Sequence, residues 1–164
     1  MITRLVPVLL VLAVAILAPA SATAKDDVDP DLWATVNLCN TPSRPGAVGV
    51  RVSIPHEEGG PQQWARIRLQ WFDGQARVWR ALRSGGDAGW ARIGIGKRLV
   101  QGGTTFTFPL PEPGARMVLR GVVEVQWRDG TTVVDRARLR TTEGQEAPGD
   151  RHRRMSRSSC EIKQ

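Results

Sequence analysis

Residues 115–142 read ARMVLRGVVEVQWRDGTTVVDRARLRTT, and this stretch decides the fold class. Two runs in which apolar and polar residues alternate flank an Asp129-Gly130 pair. Alternation with a period of two is typical of a half-buried β-strand, and Asp-Gly is a strong signal for a hairpin turn. The stretch therefore predicts an antiparallel hairpin, with six arginines whose placement depends on the strand register.

The register decides whether the arginines of the second run face the core or the solvent; these are Arg136, Arg138 and Arg140. A two-residue loop turns all three toward the core, where burying unpaired guanidinium groups costs several kcal/mol each. A three-residue loop over 128–130, with Gly130 left-handed, turns them outward beside Arg120. We therefore predict the three-residue loop, which pairs Val125 with Val133.

The rest of the chain also alternates in short runs, and turn residues separate the runs about every 8–12 positions. Outside residues 1–24, no long segment shows the 3.6-residue period of an amphipathic helix. These features predict an all-β protein, an antiparallel sandwich of about 7–8 strands with one disulfide. The predicted strands besides the hairpin are 32–39, 47–54, 63–72, 75–82, a weak 90–100, 104–110 and a short edge strand at 160–163.

Residues 1–24 have the pattern of a secretory signal peptide. Arg4 precedes the apolar stretch LVPVLLVLAVAILA, and Ala22-Thr23-Ala24 matches a cleavage site before Lys25. The apolar stretch is shorter than the roughly 20 residues that span a bilayer. We expect a secreted, extracellular protein or one held in the periplasm or cell envelope, with no stable membrane span after cleavage. A retained N-terminal anchor is the alternative.

Removing residues 1–24 leaves 140 residues, enough for one domain with its own core. Only Arg4 among the charged residues is lost, so the formal net charge falls from +7 to +6. The predicted parts are an acidic lead-in at 25–31, a sandwich at 32–142 and a basic C-terminal segment at 143–164. A positive charge favours anionic partners, and export argues against nucleic acid. We expect a monomer.

Cys39 and Cys160 are the two cysteines of the chain. In an exported protein an isolated pair predicts one disulfide, which would hold the C-terminal segment against the first strand. The alternative is a free thiol or a metal ligand, but together with His56 and His152 the two sulfurs match no zinc spacing.

No motif in the chain predicts catalysis or a cofactor. His56-Glu57-Glu58 lies in a Pro/Gly loop without a partner that could orient a general base. DDVDPD at 26–31 offers oxygen ligands for calcium but lacks the Gly and Glu of an EF-hand loop. The glycine-rich 85–98 lacks the G-K-[ST] ending of a phosphate loop. The prediction is a non-enzymatic protein with no cofactor and no metal.

A candidate ligand face combines arginines with tryptophans outside the predicted core; its members are Trp64, Arg66, Arg68, Trp79, Arg120, Arg136, Arg138 and Arg140. Trp71 and Trp127 fall on apolar faces and are predicted to be core. A hairpin loop over 72–75 would place Trp79 opposite Arg68, a cation–π arrangement. The face is either a platform for an anionic glycan or protein partner, or simply guanidinium groups covering half-exposed rings.

PGARMVLRGVVEVQW at 113–127 resembles the penultimate-strand region of an immunoglobulin-like or fibronectin-III-like β-sandwich. The chain departs from that pattern, because it has no Tyr for a tyrosine corner and no Cys on this strand.

The chain also resembles small secreted bacterial proteins in three stretches, VNLCNTP, LRGVVEVQWR and the C-terminal CEIK. The resemblance implies an exported Ig-like domain and no activity. We expect a recognition or structural module at the cell envelope or outside it, or alternatively an adhesive domain that binds anionic polysaccharide or surface polymer through its arginine-rich sheet face.

Overall fold

The computed structural model describes residues 29–55, 58–93, 99–145 and 155–164, with the side chain of Leu99 left out. The predicted signal peptide, the cleavage position at Lys25, most of the acidic lead-in and the two histidines lie outside the described residues.

The described residues form nine β-strands and no helix, which confirms the all-β prediction. All strand pairings are antiparallel, and they build a three-stranded sheet in the order β1-β2-β6 and a six-stranded sheet around β4-β3-β7-β8. The strands are β1 (Trp33–Thr41), β2 (Arg44–Pro55), β3 (Gln62–Asp73), β4 (Val78–Ala81), β5 (Asp87–Arg92), β6 (Leu99–Thr107), β7 (Arg116–Asp129), β8 (Thr132–Arg140) and β9 (Cys160–Lys163).

Both edges of the larger sheet are divided between two short strands. On one side of β3, β5 pairs with Trp64–Arg68 and β4 pairs with Gln70–Asp73. On the outer side of β7, β9 pairs with Arg116–Leu119 and β8 pairs with Val122–Asp129. Strands therefore flank the central pair β3–β7 on both sides.

One hydrophobic core fills the space between the inner faces of the two sheets. The alternation seen in the sequence explains it, because every second residue of a strand points to the same face. The smaller sheet contributes a ladder of β-branched residues on β2, and β3 and β7 contribute the opposite wall. The main inward residues are Val48, Val50, Val52, Ile54, Ala65, Ile67, Leu69, Leu119, Val123 and Val125. Trp71 and Trp127 pack against this core, as predicted.

In the β7–β8 hairpin, Arg136, Arg138 and Arg140 face outward as predicted, but the turn lies at a different position from the predicted one. Asp129 pairs with Thr132, so the chain turns at Gly130-Thr131 rather than over 128–130, and Gly130 is left-handed as expected (φ 57°). A bulge between Trp127 and Arg128 then shifts the register again. Val125 consequently faces Ala137 and not Val133. From Asp135 to Arg140 the displacement is four residues, an even number, so these side chains keep their predicted faces. Before the bulge the displacement is three residues, so Val133 stands opposite the outward-facing Arg128 and not on the predicted inner face.

The predicted disulfide is present between Cys39 and Cys160, with Cα atoms 5.3 Å apart. It joins β1 of the smaller sheet to β9 of the larger one. The edge strand predicted at 160–163 is β9, and it pairs with β7.

The C-terminal strap, which we define as residues 141–145 and 155–159, runs along the free edge of β1. The amide of Val36 donates to Arg157 O (2.9 Å), and Arg157 donates back to Val36 O (3.1 Å). Thr35, fully buried, donates its hydroxyl to Thr142 O (2.8 Å) and shares a hydrogen bond with the Ser156 hydroxyl (2.8 Å). Polar contacts thus order a segment that has almost no apolar side chains to bury.

Candidate functional site

The outward side of the six-stranded sheet holds all eight residues of the predicted ligand face. We call it the outer face and define it by the residues that lie level across the strands: Trp64, Arg66, Arg68, Gln70, Trp79, Asp87, Trp90, Arg92, Arg120, Val122, Glu124, Gln126, Arg128, Arg136, Arg138 and Arg140. Eight of these residues are arginines and two are carboxylates. The face is therefore strongly electropositive.

Two arginines of β3 are neutralised by the two carboxylates. Arg66 donates hydrogen bonds to Asp87 from both Nε and Nη2, and its Nε lies 3.0 and 3.1 Å from the two carboxylate oxygens. The hydrogen bond from Arg66 lowers the pKa of Asp87 to about 2, so this carboxylate stays charged at any physiological pH. Arg68 pairs with Glu124 on the neighbouring strand β7. Because their charges are already paired, these two arginines attract an anionic ligand less strongly than arginines without a carboxylate partner do.

Trp79 lies on the outer face, but its neighbours differ from the prediction. The first hairpin turns at 74–77 rather than 72–75, so Trp79 stands opposite Phe72 and not Arg68. The cation over its ring is Arg120, whose Cζ lies 4.3 Å from the ring centroid. Arg120 also donates two hydrogen bonds to Gln70 Oε1 (2.9 and 2.8 Å). Burial, and then the charge of Arg140, lower the pKa of this guanidinium.

Arg128, which the predicted loop over 128–130 included, belongs instead to the outer face. Its Cζ lies 4.4 Å from the centroid of Trp64 and 5.2 Å from that of Trp90. Nε donates to Gln126 Oε1 at 2.9 Å. Cation–π contacts with two rings and a hydrogen bond hold this guanidinium in place, and it in turn fixes both tryptophans and the Gln126 amide.

The arginines of β8 form an exposed row that we call the β8 row; it consists of Arg136, Arg138 and Arg140. Alternate residues of a strand are roughly 6.8 Å apart, so the three charges follow one another along the sheet. None of the three side chains forms an ion pair or a hydrogen bond with another residue in the described ranges. Among the described residues, Arg92, Arg120 and Arg128 of the outer face also lack a carboxylate partner, but only the β8 row places three such arginines, all exposed, along one strand.

Two depressions border the β8 row. A groove of about 380 Å³ crosses the outer face between Trp90 and the arginines 136 and 138, with Glu124 and Gln126 among the residues that line it. We call it the Trp90 groove. A larger cleft of about 620 Å³ lies along the other side of β8, between Trp33 and Arg140. Arg138 lines both, so a ligand in either depression can reach the β8 row.

The described residues contain no cluster of three or more His, Cys, Asp or Glu side chains that could hold a metal ion. They also contain no helix of the length and apolarity needed to cross a membrane. No protein-family model matches the chain, and comparisons with curated proteins and with solved structures give no match either.

Proposed function

We propose that the chain is an exported, non-enzymatic recognition domain of Ig-like architecture, and that it binds an anionic surface polymer through its outer face. The observation that carries this proposal is the β8 row, three exposed arginines in line with no acidic partner among the described residues. Uncompensated charge of one sign on a flat face attracts polyanions from a distance and raises their rate of association.

The order of strands supports the Ig-like assignment. In Ig-like sandwiches, strands A, B and E lie in one sheet, and C, F and G lie in the other, where C′ can join them. The orders β1-β2-β6 and β4-β3-β7-β8 follow this arrangement if β7 takes the place of F. That is the position suggested by the resemblance of residues 113–127. Two departures are the pairing of β5 with β3 and the additional strand β9.

Export is supported by two features of the chain. Residues 1–24 have the composition of a signal peptide, and a structural disulfide persists in oxidising compartments. Polymers of bacterial and host surfaces are commonly anionic, so an exported arginine-rich face would meet such ligands. The absence of a nucleophile-and-base motif from the sequence supports a binding role rather than catalysis.

The proposal is tested by neutralising the β8 row and measuring binding to an immobilised sulfated polysaccharide of the heparin type. The triple variant R136Q/R138Q/R140Q is expected to bind about tenfold more weakly, since three exposed ion pairs worth about 0.5 kcal/mol each give a total of roughly 1.5 kcal/mol. The difference should shrink at high salt because exposed charges are screened.

A matched variant separates a specific face from net charge. R44Q/R77Q/R83Q removes the same three charges from exposed positions outside the outer face. Its affinity should stay within about twofold of the wild type. If the two triple variants lose affinity equally, the binding reflects net charge alone and the proposed function is wrong.

A further inference from the structure

We infer that the Trp90 groove binds one acidic sugar residue of a hydroxyl-bearing polysaccharide, and that it discriminates against polyanions without hydroxyl groups. This inference rests on the proposed function and narrows its ligand class. It follows from the mixture of groups that line the groove: an indole ring, two arginines, a carboxylate and a carboxamide.

Glu124 is the residue that decides between classes of polyanion. Its side chain is 28% exposed, and one carboxylate oxygen is engaged by Arg68. A ligand in the groove must approach the oxygen atoms of this carboxylate, which only accept hydrogen bonds, and can do so favourably only by donating one. Sugar hydroxyls donate, whereas an inorganic polyphosphate chain at neutral pH carries acceptors almost alone. The groove is therefore matched to an anion that also has donors.

Gln126 adds a donor of its own at a fixed position. Its Oε1 accepts from Arg128 Nε (2.9 Å), so the amide NH₂ remains available to donate to a ligand. Glu124 and Gln126 alternate on β7 and point to the same side of the sheet. The floor of the groove thus offers an acceptor and a donor in sequence, a pattern suited to adjacent hydroxyl groups.

Trp90 and the β8 row supply the two walls. The indole is half-buried and carries Arg128 near its ring, so it is held as a rigid apolar surface against which the C–H face of a sugar ring can pack. Arg136 and Arg138 on the other wall can each take a carboxylate or sulfate through two parallel hydrogen bonds. The groove therefore has a group for each part of an acidic sugar: the indole for the ring, the floor of the groove for the hydroxyl groups, and the arginines for the charged substituent.

The test compares a polyuronate with inorganic polyphosphate of matched chain charge, by titration calorimetry at one salt concentration. The wild type should bind the polyuronate about tenfold more tightly. E124Q, which preserves shape but removes the charge, should reduce this preference to about twofold or less, mainly through tighter polyphosphate binding. W90L should weaken polyuronate binding about fivefold and leave polyphosphate binding within twofold.

W33L is the control, because Trp33 also has an arginine near its ring (Arg51 Cζ, 5.2 Å from the centroid) but lies on β1 of the three-stranded sheet, outside the outer face and the Trp90 groove. It should leave both affinities within twofold of the wild type. An equal loss of polyuronate binding in W33L and W90L would overturn the assignment to this groove. Equal wild-type affinity for the two polymers, or a preference for polyphosphate, would overturn the inference while leaving the proposed function intact. If neither polymer binds, the proposed function fails with it.

Discussion

The double variant C39A/C160A is expected to lose about 5 kcal/mol of unfolding free energy relative to the oxidised wild type. The disulfide connects residues 121 positions apart, so it removes a large amount of chain entropy from the unfolded state. Because both sulfurs are removed, no free thiol complicates the comparison. Equilibrium unfolding in guanidinium chloride, followed by tryptophan fluorescence, measures the difference.

The reduced wild type provides the control for this prediction, because it lacks the crosslink but keeps both side chains. It should match the double variant to within about 1 kcal/mol. Since Cys39 and Cys160 join β1 to β9, both proteins should also expose the C-terminal strap to proteases earlier than the oxidised wild type. A loss below about 1 kcal/mol in both proteins would contradict the role given to the crosslink.

Substituting Ile162 by alanine is expected to lower the free energy of unfolding by about 2–5 kcal/mol. Ile162 is completely buried, stands opposite Met117 in the β9–β7 pair and belongs to the central core. Its truncation leaves a cavity between the sheets at the point where the disulfide holds β9 in place. Denaturant unfolding of I162A measures the loss.

Lys163 is the matched control, because it lies next in the same strand but is exposed. K163A should change the unfolding free energy by no more than about 0.5 kcal/mol. If I162A and K163A had the same small effect, β9 would not be part of the core.

Alternation predicted which way side chains point, but not which residues stand opposite each other. The facing of β3, β7 and β8 follows from apolar residues at every second position, and a sheet must bury that face. The register depends on where the turn closes and on a bulge between Trp127 and Arg128. A single extra residue at a bulge has no strong sequence signal, so Val125 was paired with the wrong partner.

The C-terminal strap shows a second limit of sequence patterns. Residues 143–159 contain almost no large apolar side chains, which argues for a solvated segment. In the structure, Thr35 and Ser156 hold part of this segment against β1 by hydrogen bonds. Such contacts join residues about 120 positions apart, and composition does not reveal them.

The sequence predicted which residues of the candidate site lie on the outward side of the sheet, but it did not predict which of them contact each other. The outward placement of Trp64 and the β8 row needed only alternation. The placement of Arg128 between two rings and the position of Trp90 across from the β8 row need the pairing of β5, β3, β7 and β8 in one sheet. A weak, glycine-interrupted pattern around residue 90 gave no basis for placing that strand at the β3 edge.

The central claim, that the outer face is a binding surface for an acidic polysaccharide, is tested most directly by NMR mapping of the bound polymer. ¹H–¹⁵N spectra of the disulfide-bonded chain are recorded while a polyuronate oligomer is added. The account predicts amide shift changes concentrated in β5, the second half of β7 and β8, together with the indole signal of Trp90. Changes centred on the three-stranded sheet β1-β2-β6, or none at saturating oligomer, would contradict it.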